Sequence, residues 1–180
     1  AELLLSEESF EPNIRDYSKL IDAHSKADHL EDAKRILTKM SENGIKPDVL
    51  TSNILVHMYS KAGNLDQAKD SFESLKKQGF QPDLKAYTSM IAAYVRAGLP
   101  RQGEALTCEM EARDIKPLRE IYMELLRAFA ERGQVDGAQG IVNTQCSLPE
   151  YIRRWESYTL LIEAYAHAGD PDQAYGILTT

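Results

Sequence analysis

The 180-residue sequence lacks the features of several common protein classes. Its two cysteines, Cys108 and Cys146, are too few for a disulfide framework or a four-cysteine zinc site. No apolar run approaches the roughly 18 residues that a membrane-spanning helix needs, so we expect no membrane partner. The formal net charge of -7 excludes a protein that is basic over its whole surface, but it leaves room for one basic face that binds nucleic acid.

Motifs of catalysis and cofactor binding are also missing. The chain has no Gly-rich phosphate loop and no serine nucleophile elbow. The string His29-Leu30-Glu31 matches half of a zinc-deaminase signature, but that chemistry also needs a Pro-Cys-x-x-Cys pair, and the chain has no such pair. We therefore expect no enzyme activity, no catalytic residues, no small-molecule substrate, no metal ion and no cofactor.

What the sequence does contain is a period of 35 residues. The strings GIKPD (44–48), GFQPD (79–83) and DIKPL (114–118) recur at that spacing. A second string recurs in phase, as SKAGNLDQAK (60–69), VRAGLPRQGE (95–104), AERGQVDGAQ (130–139) and AHAGDPDQAY (166–175). A period of this length indicates a repeat architecture. The predicted division is the tail of a preceding repeat at 1–13, then repeats 1 to 5 at 14–48, 49–83, 84–118, 119–154 and 155–180.

The ends of the chain and one internal segment depart from this pattern. The second half of repeat 4, NTQCSLPEYIRR (143–154), lacks the closing Pro-Asp. Both ends fall inside a repeat, and no targeting leader opens the chain. We therefore expect this chain to be a piece of a longer array.

Each repeat is predicted to form two helices. In repeat 1 the apolar residues Tyr17, Leu20 and Ile21 follow helical spacing. Near the middle of each repeat stands a residue that can adopt the left-handed conformation and end the first helix: Asp28, Gly63, Gly98, Gly133 and Gly169. One such hairpin cannot bury its apolar face alone, so neighbouring hairpins are expected to stack into an all-α solenoid.

The details of the period point to one family. The repeat pattern is an aromatic position, next a small polar residue and then Leu-Ile, a KAG-like string and a GIKPD close, and it is strongest in repeats 1 to 3. In these features the chain resembles the pentatricopeptide repeat family. Tetratricopeptide repeats have a period of about 34 residues and lack the Pro-Asp close. The resemblance implies an all-α, right-handed superhelical solenoid of about five helix-turn-helix repeats.

The resemblance also implies sequence-selective binding of single-stranded RNA, in mitochondria or chloroplasts, for splicing, processing, stability or translation of transcripts. The family reads one base per repeat, through the residue after the aromatic position and the last residue of the repeat. The matching residues are Ser18 with Asp48, Asn53 with Asp83, Thr88 with Leu118, Met123 without a clear partner, and Thr159. By this analogy Asn53 with Asp83 prefers uracil and Ser18 with Asp48 prefers a purine.

The family also holds each base between side chains from the second position of adjacent repeats, often valine. The matching residues here are Arg15, Leu50, Lys85, Glu120 and Glu156. Leu50 fits that role, whereas Arg15 and Lys85 could stack through their stems or meet phosphates. The two glutamates are expected to repel RNA.

A column of cations supports contact with a phosphate backbone. Lys26, Lys61 and Arg96 stand 35 residues apart, so stacked repeats would align them along one edge of the groove. The alternative is that they are solvated residues near helix C-termini, where the helix dipole favours cations. The two roles are compatible.

The competing hypothesis is a protein-interaction scaffold that uses the same groove and binds RNA weakly or not at all. The net charge of -7, the acidic Glu120 and Glu156 and the apolar Leu118 and Met123 favour it. Trp155 opens repeat 5 and is expected to pack between repeats 4 and 5. Its alternative roles are a base stack and a protein contact.

Overall fold

The structure, a computed structural model, describes residues 12–146 and 154–178. These residues form ten α-helices and no β-strand, so the predicted all-α helical-repeat fold is confirmed. The helices are α1 Ile14–Lys26, α2 Leu30–Glu42, α3 Val49–Lys61, α4 Leu65–Lys77, α5 Leu84–Arg96, α6 Pro100–Ala112, α7 Arg119–Ala130, α8 Val135–Cys146, α9 Arg154–Ala168 and α10 Pro171–Leu178. Among these helices none is long and apolar enough to cross a membrane.

Short polar side chains fix where several helices begin. The Asn13 side chain accepts a hydrogen bond from Arg15 N at 2.8 Å, and Asp16 closes a capping box by accepting from Asn13 N at 3.0 Å. Asp48 caps α3 with its side chain alone, which accepts a hydrogen bond from Thr51 N. The first amides of a helix have no partner within it, so each cap satisfies a group that would otherwise remain unpaired.

Left-handed residues separate the paired helices, as predicted. Gly63, Gly98, Gly133 and Gly169 have φ values of 73°, 78°, 59° and 80°. Asp28 takes this role in repeat 1, with φ 61°. The sequence did not lead us to expect Asp114, which has φ 59° and stands in the column that holds Gly44 and Gly79 in repeats 1 and 2. Each left-handed residue ends one helix and turns the chain toward the next.

The fold divides into two compact units, residues 1–93 and 94–180, with the division inside α5. In the N-terminal unit α1 packs on α2 and α3, and α3 packs on α4. Ala33 and Ala68 are fully buried. A small side chain at this position lets two helices approach closely. The rings of Phe72 and Tyr87 meet edge to face with centroids 5.2 Å apart.

In the C-terminal unit α7 and α8 pack on each other and on α9, and α10 packs on α9. Phe129 is fully buried against Gly137, where a Cβ atom would lie 2.4 Å from the ring. Trp155, in contrast, is 65% exposed. The expectation that Trp155 packs between repeats 4 and 5 is therefore wrong, because its position at the start of α9 turns the side chain to solvent.

Candidate nucleic-acid interface

A cleft of about 200 Å³ opens in the N-terminal unit among α1, α3 and the start of α5. Ser18, Lys19 and Asp22 of α1 lie on one side, and Leu50 and Asn53 of α3 on another. Asp83 and Lys85, at the start of α5, complete the lining. The structure thus brings together the predicted pair Asn53 and Asp83, and it adds the predicted second-position residues Leu50 and Lys85 to the same cleft.

The Asn53 carboxamide is the unsatisfied polar group of this cleft. Its Oδ1 atom is buried and has no hydrogen-bond partner. A buried acceptor without a partner costs about 1–3 kcal/mol, and most such groups in folded proteins are paired. The carboxamide carries an acceptor and a donor on opposite sides. A half-turn about its last torsion would present the oxygen to a partner in the cleft.

Asp83 has a structural role as well as a place in the cleft. Its Oδ1 accepts a hydrogen bond from Ala86 N at 2.7 Å, at the first turn of α5. A carboxylate has two oxygens that accept several hydrogen bonds. Capping by Oδ1 therefore holds the group in place while Oδ2 retains its capacity to accept from a ligand in the cleft.

Ser18 and Asp48, the second predicted pair, are joined through a third residue. Asp48 Oδ1 accepts from Thr51 N at 2.8 Å and from Thr51 Oγ1 at 2.7 Å. Thr51 Oγ1 in turn lies 2.6 Å from Ser18 Oγ, which is 2.7 Å from Ile14 O. Ser18 is only 2% exposed and Thr51 is fully buried. Ser18 must therefore exchange one of these contacts before its hydroxyl can meet a base.

The sequence did not lead us to expect a role for Thr51, although it carries a signal for one. Thr51 stands three residues after the closing Asp48. An N-cap side chain often accepts a hydrogen bond from the backbone amide at that position. Repeat 3 has Ala86 at this position and repeat 4 has Ile121, neither of which carries a hydroxyl, whereas repeat 5 has Ser157, whose Oγ lies 3.7 Å from Met123 Sδ. Among the described residues, a hydroxyl in this column links a serine to a closing aspartate at the first boundary between repeats.

His57 lies one helical turn beyond Asn53 on α3, and its Nδ1 is 3.0 Å from Ser89 Oγ. Burial lowers the pKa of the His57 imidazole below its usual 6.5. The cations Lys85 and Lys61 lower this pKa further, while Asp22 opposes them. The imidazole is therefore neutral near neutral pH and gains charge on acidification.

Comparison with family models decides what kind of repeat this is. The model described as pentatricopeptide repeat domain matches residues 5–62 and 35–97. A second model, the PPR repeat, matches residues 85–115 and 156–179. The chain belongs to the pentatricopeptide repeat family. No curated protein sequence matches the chain.

Solved structures share this pentatricopeptide repeat fold. The crystal structure of PPR10 from maize has a TM-score of 0.76 at 21% identity, over 94% of this chain and 24% of that one. The chain thus spans about a quarter of the maize protein's length. The nuclear protein-only RNase P 2 of Arabidopsis thaliana has a TM-score of 0.78 at 14% identity, over 93% of this chain and 38% of that one. The PPR domain of protein-only RNase P 1 from Arabidopsis thaliana, solved in complex with tRNA, has a TM-score of 0.70 at 19% identity. That match covers 88% of this chain and 83% of the other.

Two members of the predicted cation column of this pentatricopeptide repeat chain pair with carboxylates. Lys26 Nζ lies 2.6 Å from Asp22 Oδ2, and Lys61 Nζ lies 2.5 Å from Asp28 Oδ1. Exposed pairs of this kind contribute about 0–1 kcal/mol, so a phosphate group can compete for the lysines. Arg96 is exposed at the end of α5, and Arg15 is exposed in the first turn of α1.

The side chains at the remaining predicted base-reading positions do not line the cleft at Asn53. The Thr88 and Thr159 hydroxyls donate to the carbonyls of Leu84 at 2.7 Å and Trp155 at 2.9 Å, within their own helices. Leu118 is 48% exposed and gives α7 no side-chain cap.

The acidic second-position residues of repeats 4 and 5 have different surroundings. Glu156 forms an ion pair with Arg119, whereas Glu120 is exposed. The ion pair offsets part of the negative charge that Glu156 would present to RNA.

Proposed function

We propose that this pentatricopeptide repeat chain binds single-stranded RNA and that the N-terminal unit takes one base into the cleft at Asn53. The observation that carries the proposal is the buried Asn53 Oδ1 without a partner, beside Asp83, Leu50 and Lys85. A base edge that offers a donor, as uracil does, can pair with the carboxamide oxygen once a half-turn brings that oxygen into the cleft.

The neighbours of Asn53 suit the other parts of a nucleotide. Leu50 is 59% exposed at the rim of the cleft, where its side chain can cover the face of a base. Lys85 is exposed beside it and supplies a cation for a phosphate. Asp22 and Asp83 oppose this charge, so we expect modest affinity for one repeat and a larger affinity from several repeats in series.

The structural relatives support a role in RNA binding. PPR10 was solved in complex with an 18-nt psaJ RNA element, at a TM-score of 0.65 and 20% identity to this chain. The PPR domain of protein-only RNase P 1 was solved with tRNA. We propose for this chain a non-catalytic, sequence-selective role in the splicing, processing, stability or translation of an organellar transcript, with Ser18 and Asp48 reading a purine and Thr88 and Thr159 contributing less.

The decisive experiment is fluorescence anisotropy with short single-stranded RNAs that differ in one base, between about 25 and 200 mM salt. We expect affinity to fall as salt rises and to be highest with uracil opposite repeat 2. The Asn53→Ser variant should lose about 10-fold of the preference for uracil, because one base-edge contact discriminates by about 1–3 kcal/mol. Asn143→Ser, which changes an exposed asparagine of α8, is the matched control and should keep it. An unchanged preference in Asn53→Ser would contradict the base-reading role.

A protein-binding role is the second candidate. It is favoured by apolar exposure in the C-terminal unit, where Trp155 is 65% exposed and Leu118 is 48% exposed. Large exposed apolar side chains are common in protein interfaces. This candidate predicts weak RNA binding or none, without a preference for uracil opposite repeat 2, and partner binding that Trp155→Ala weakens.

A further inference from the structure

Two of the chain's four histidines meet at the turn between α1 and α2. His24 lies in the last turn of α1, His29 immediately precedes α2, and Asp32 lies in the first turn of α2. One ligand atom from each of the three residues lies within 4.8 Å of the other two. His24 Nδ1 is 3.9 Å from Asp32 Oδ2, and the two imidazole centroids are 6.0 Å apart. The turn therefore gathers two imidazoles and one carboxylate within a single small volume.

The repeat pattern does not call for these three residues. His29 occupies the N-cap position of α2, yet its side chain makes no capping hydrogen bond. The same three columns hold Tyr59, Asn64 and Gln67 in repeat 2, and Tyr94, Leu99 and Gln102 in repeat 3. Packing and capping are thus achieved in repeats 2 and 3 by residues that bind metal poorly or not at all. In repeat 1 all three columns change together to residues that bind metal.

The donor set fits a divalent transition-metal ion. Imidazole nitrogen and carboxylate oxygen are ligands of zinc and of neighbouring metals such as cobalt and nickel. Ligand atoms about 2.1 Å from zinc lie about 3.4 Å apart in a tetrahedral site. The present separations of up to 4.8 Å must therefore shorten by about 1.4 Å at most, which side-chain rotation can supply. His29 is exposed, and the Asp32 side chain is 40% exposed, so both can move.

A neighbouring cation already orients the carboxylate. Arg35 Nη1 lies 3.4 Å from Asp32 Oδ1 and leaves Oδ2 on the side of His24. Outer residues that hold a ligand in this way strengthen metal sites. Glu31, the acidic residue of the His29-Leu30-Glu31 string, instead pairs with Lys34 at 2.9 Å. The arrangement is therefore a binding site formed by two histidines and Asp32, and it differs from a deaminase centre.

We propose that His24, His29 and Asp32 bind one zinc-type divalent ion, with water completing the coordination. The ion ties the end of α1 to the start of α2 across Asp28, whose φ of 61° lies in the left-handed region. An ion that binds the folded chain and not the unfolded chain stabilises the folded state in proportion to the logarithm of its concentration. The site therefore serves to brace the first turn, independently of any RNA bound in the cleft.

The test uses the full chain without a histidine tag, stripped of metal by a chelator. Calorimetric titration with zinc chloride is expected to show one site per chain. Zinc is expected to raise the thermal midpoint, and a chelator to reverse the increase. Each ligand is replaced by the residue of repeat 2 at the same column: His24→Tyr, His29→Asn and Asp32→Gln. Each change should weaken zinc at least about 10-fold, because loss of even an outer residue of a metal site has that effect.

A matched control changes a histidine outside the cluster. His167→Lys installs the residue that repeat 2 has in that column, and it should leave zinc affinity unchanged. Equal zinc affinity in the wild type and the three ligand variants, or the absence of a site in the wild type, would overturn the proposal.

If circular dichroism shows that a variant does not fold, a measurement on the wild type still tests the proposal. Zinc should shift the imidazole NMR signals of His24 and His29 and leave those of His57 and His167 in place. Shifts confined to His57 or His167 would count against the site.

Discussion

The two compact units differ in the residue that closes a repeat and precedes the next helix, which is a charged aspartate in one and an apolar leucine in the other. In the N-terminal unit Asp48 accepts from both the amide and the hydroxyl of Thr51, which links it to Ser18. In the C-terminal unit Leu118 stands at the corresponding position before α7, makes no side-chain cap and is 48% exposed. The comparison teaches that the closing residue of a repeat is first a helix cap. Any role in reading a base is added to that structural one.

The turns inside the repeats differ as well. Gly63 in the N-terminal unit has open space where a Cβ atom would stand. At Gly133 in the C-terminal unit that atom would lie 3.0 Å from Ala168 N and from the His167 carbonyl carbon. Both glycines have positive φ, so the same substitution strains the backbone at both positions but meets a neighbour at only one.

The largest expected change in unfolding free energy comes from alanine substitution of the glycines in these two turns. Gly63→Ala should lower the unfolding free energy by about 1–2 kcal/mol, the cost of a left-handed residue with a Cβ atom. Gly133→Ala should lower it by about 1–3 kcal/mol more, because backbone atoms cannot move aside as a flexible side chain can. Urea denaturation of the two variants measures both costs. Equal costs would show that the contact with α9 yields easily.

The caps give the next effect in size. Asp48→Ala should lower the unfolding free energy by about 1–2 kcal/mol, because Thr51 loses the acceptor for its amide and its hydroxyl. Leu118→Asp is the reverse change and should raise it by about 0.5–1 kcal/mol, since it supplies α7 with the missing cap. Each change alone makes the two units alike in this feature. Denaturation curves of the two variants measure both effects. A loss on Leu118→Asp would mean that the exposed leucine contributes apolar contacts that outweigh the cap.

The smallest effect concerns pH and the environment of His57. In the unfolded chain His57 takes up a proton near its usual pKa of 6.5, whereas in the folded chain it does so only at lower pH. Just below pH 6.5 the unfolded state therefore binds more protons, so the unfolding free energy should decrease as the pH falls through this window. The contribution is fully present above pH 6.5.

The His57→Gln variant isolates that contribution. Its thermal midpoint should fall less steeply on acidification than that of the wild type, while measurements well above the window give the cost of the altered contact with Ser89. Parallel curves for the two proteins would show that His57 titrates normally in the folded chain.

The helices were predictable because their signals are local. The spacing of Tyr17 and Ile21, the left-handed positions at Asp28 and Gly63 and the prolines that close repeats 1 to 3 are signals within one repeat. Trp155 was mispredicted because its sequence neighbours do not reveal which way the first turn of α9 faces. The predicted partnership of Ser18 with Asp48 missed Thr51, whose hydroxyl reaches a helix in the preceding repeat.

The sequence by itself determined the repeat period, the positions of the turns and the family, because each of these follows from residues that recur along the chain. Tertiary structure decided which polar groups meet. Only folding buries the Asn53 oxygen without a partner, and only the left-handed turn at Asp28 brings His24 and His29 to Asp32. The physical reason is that hydrogen bonds and metal ligation act over a few ångströms. Their partners are chosen by how helices pack, which the periodic pattern constrains only on average.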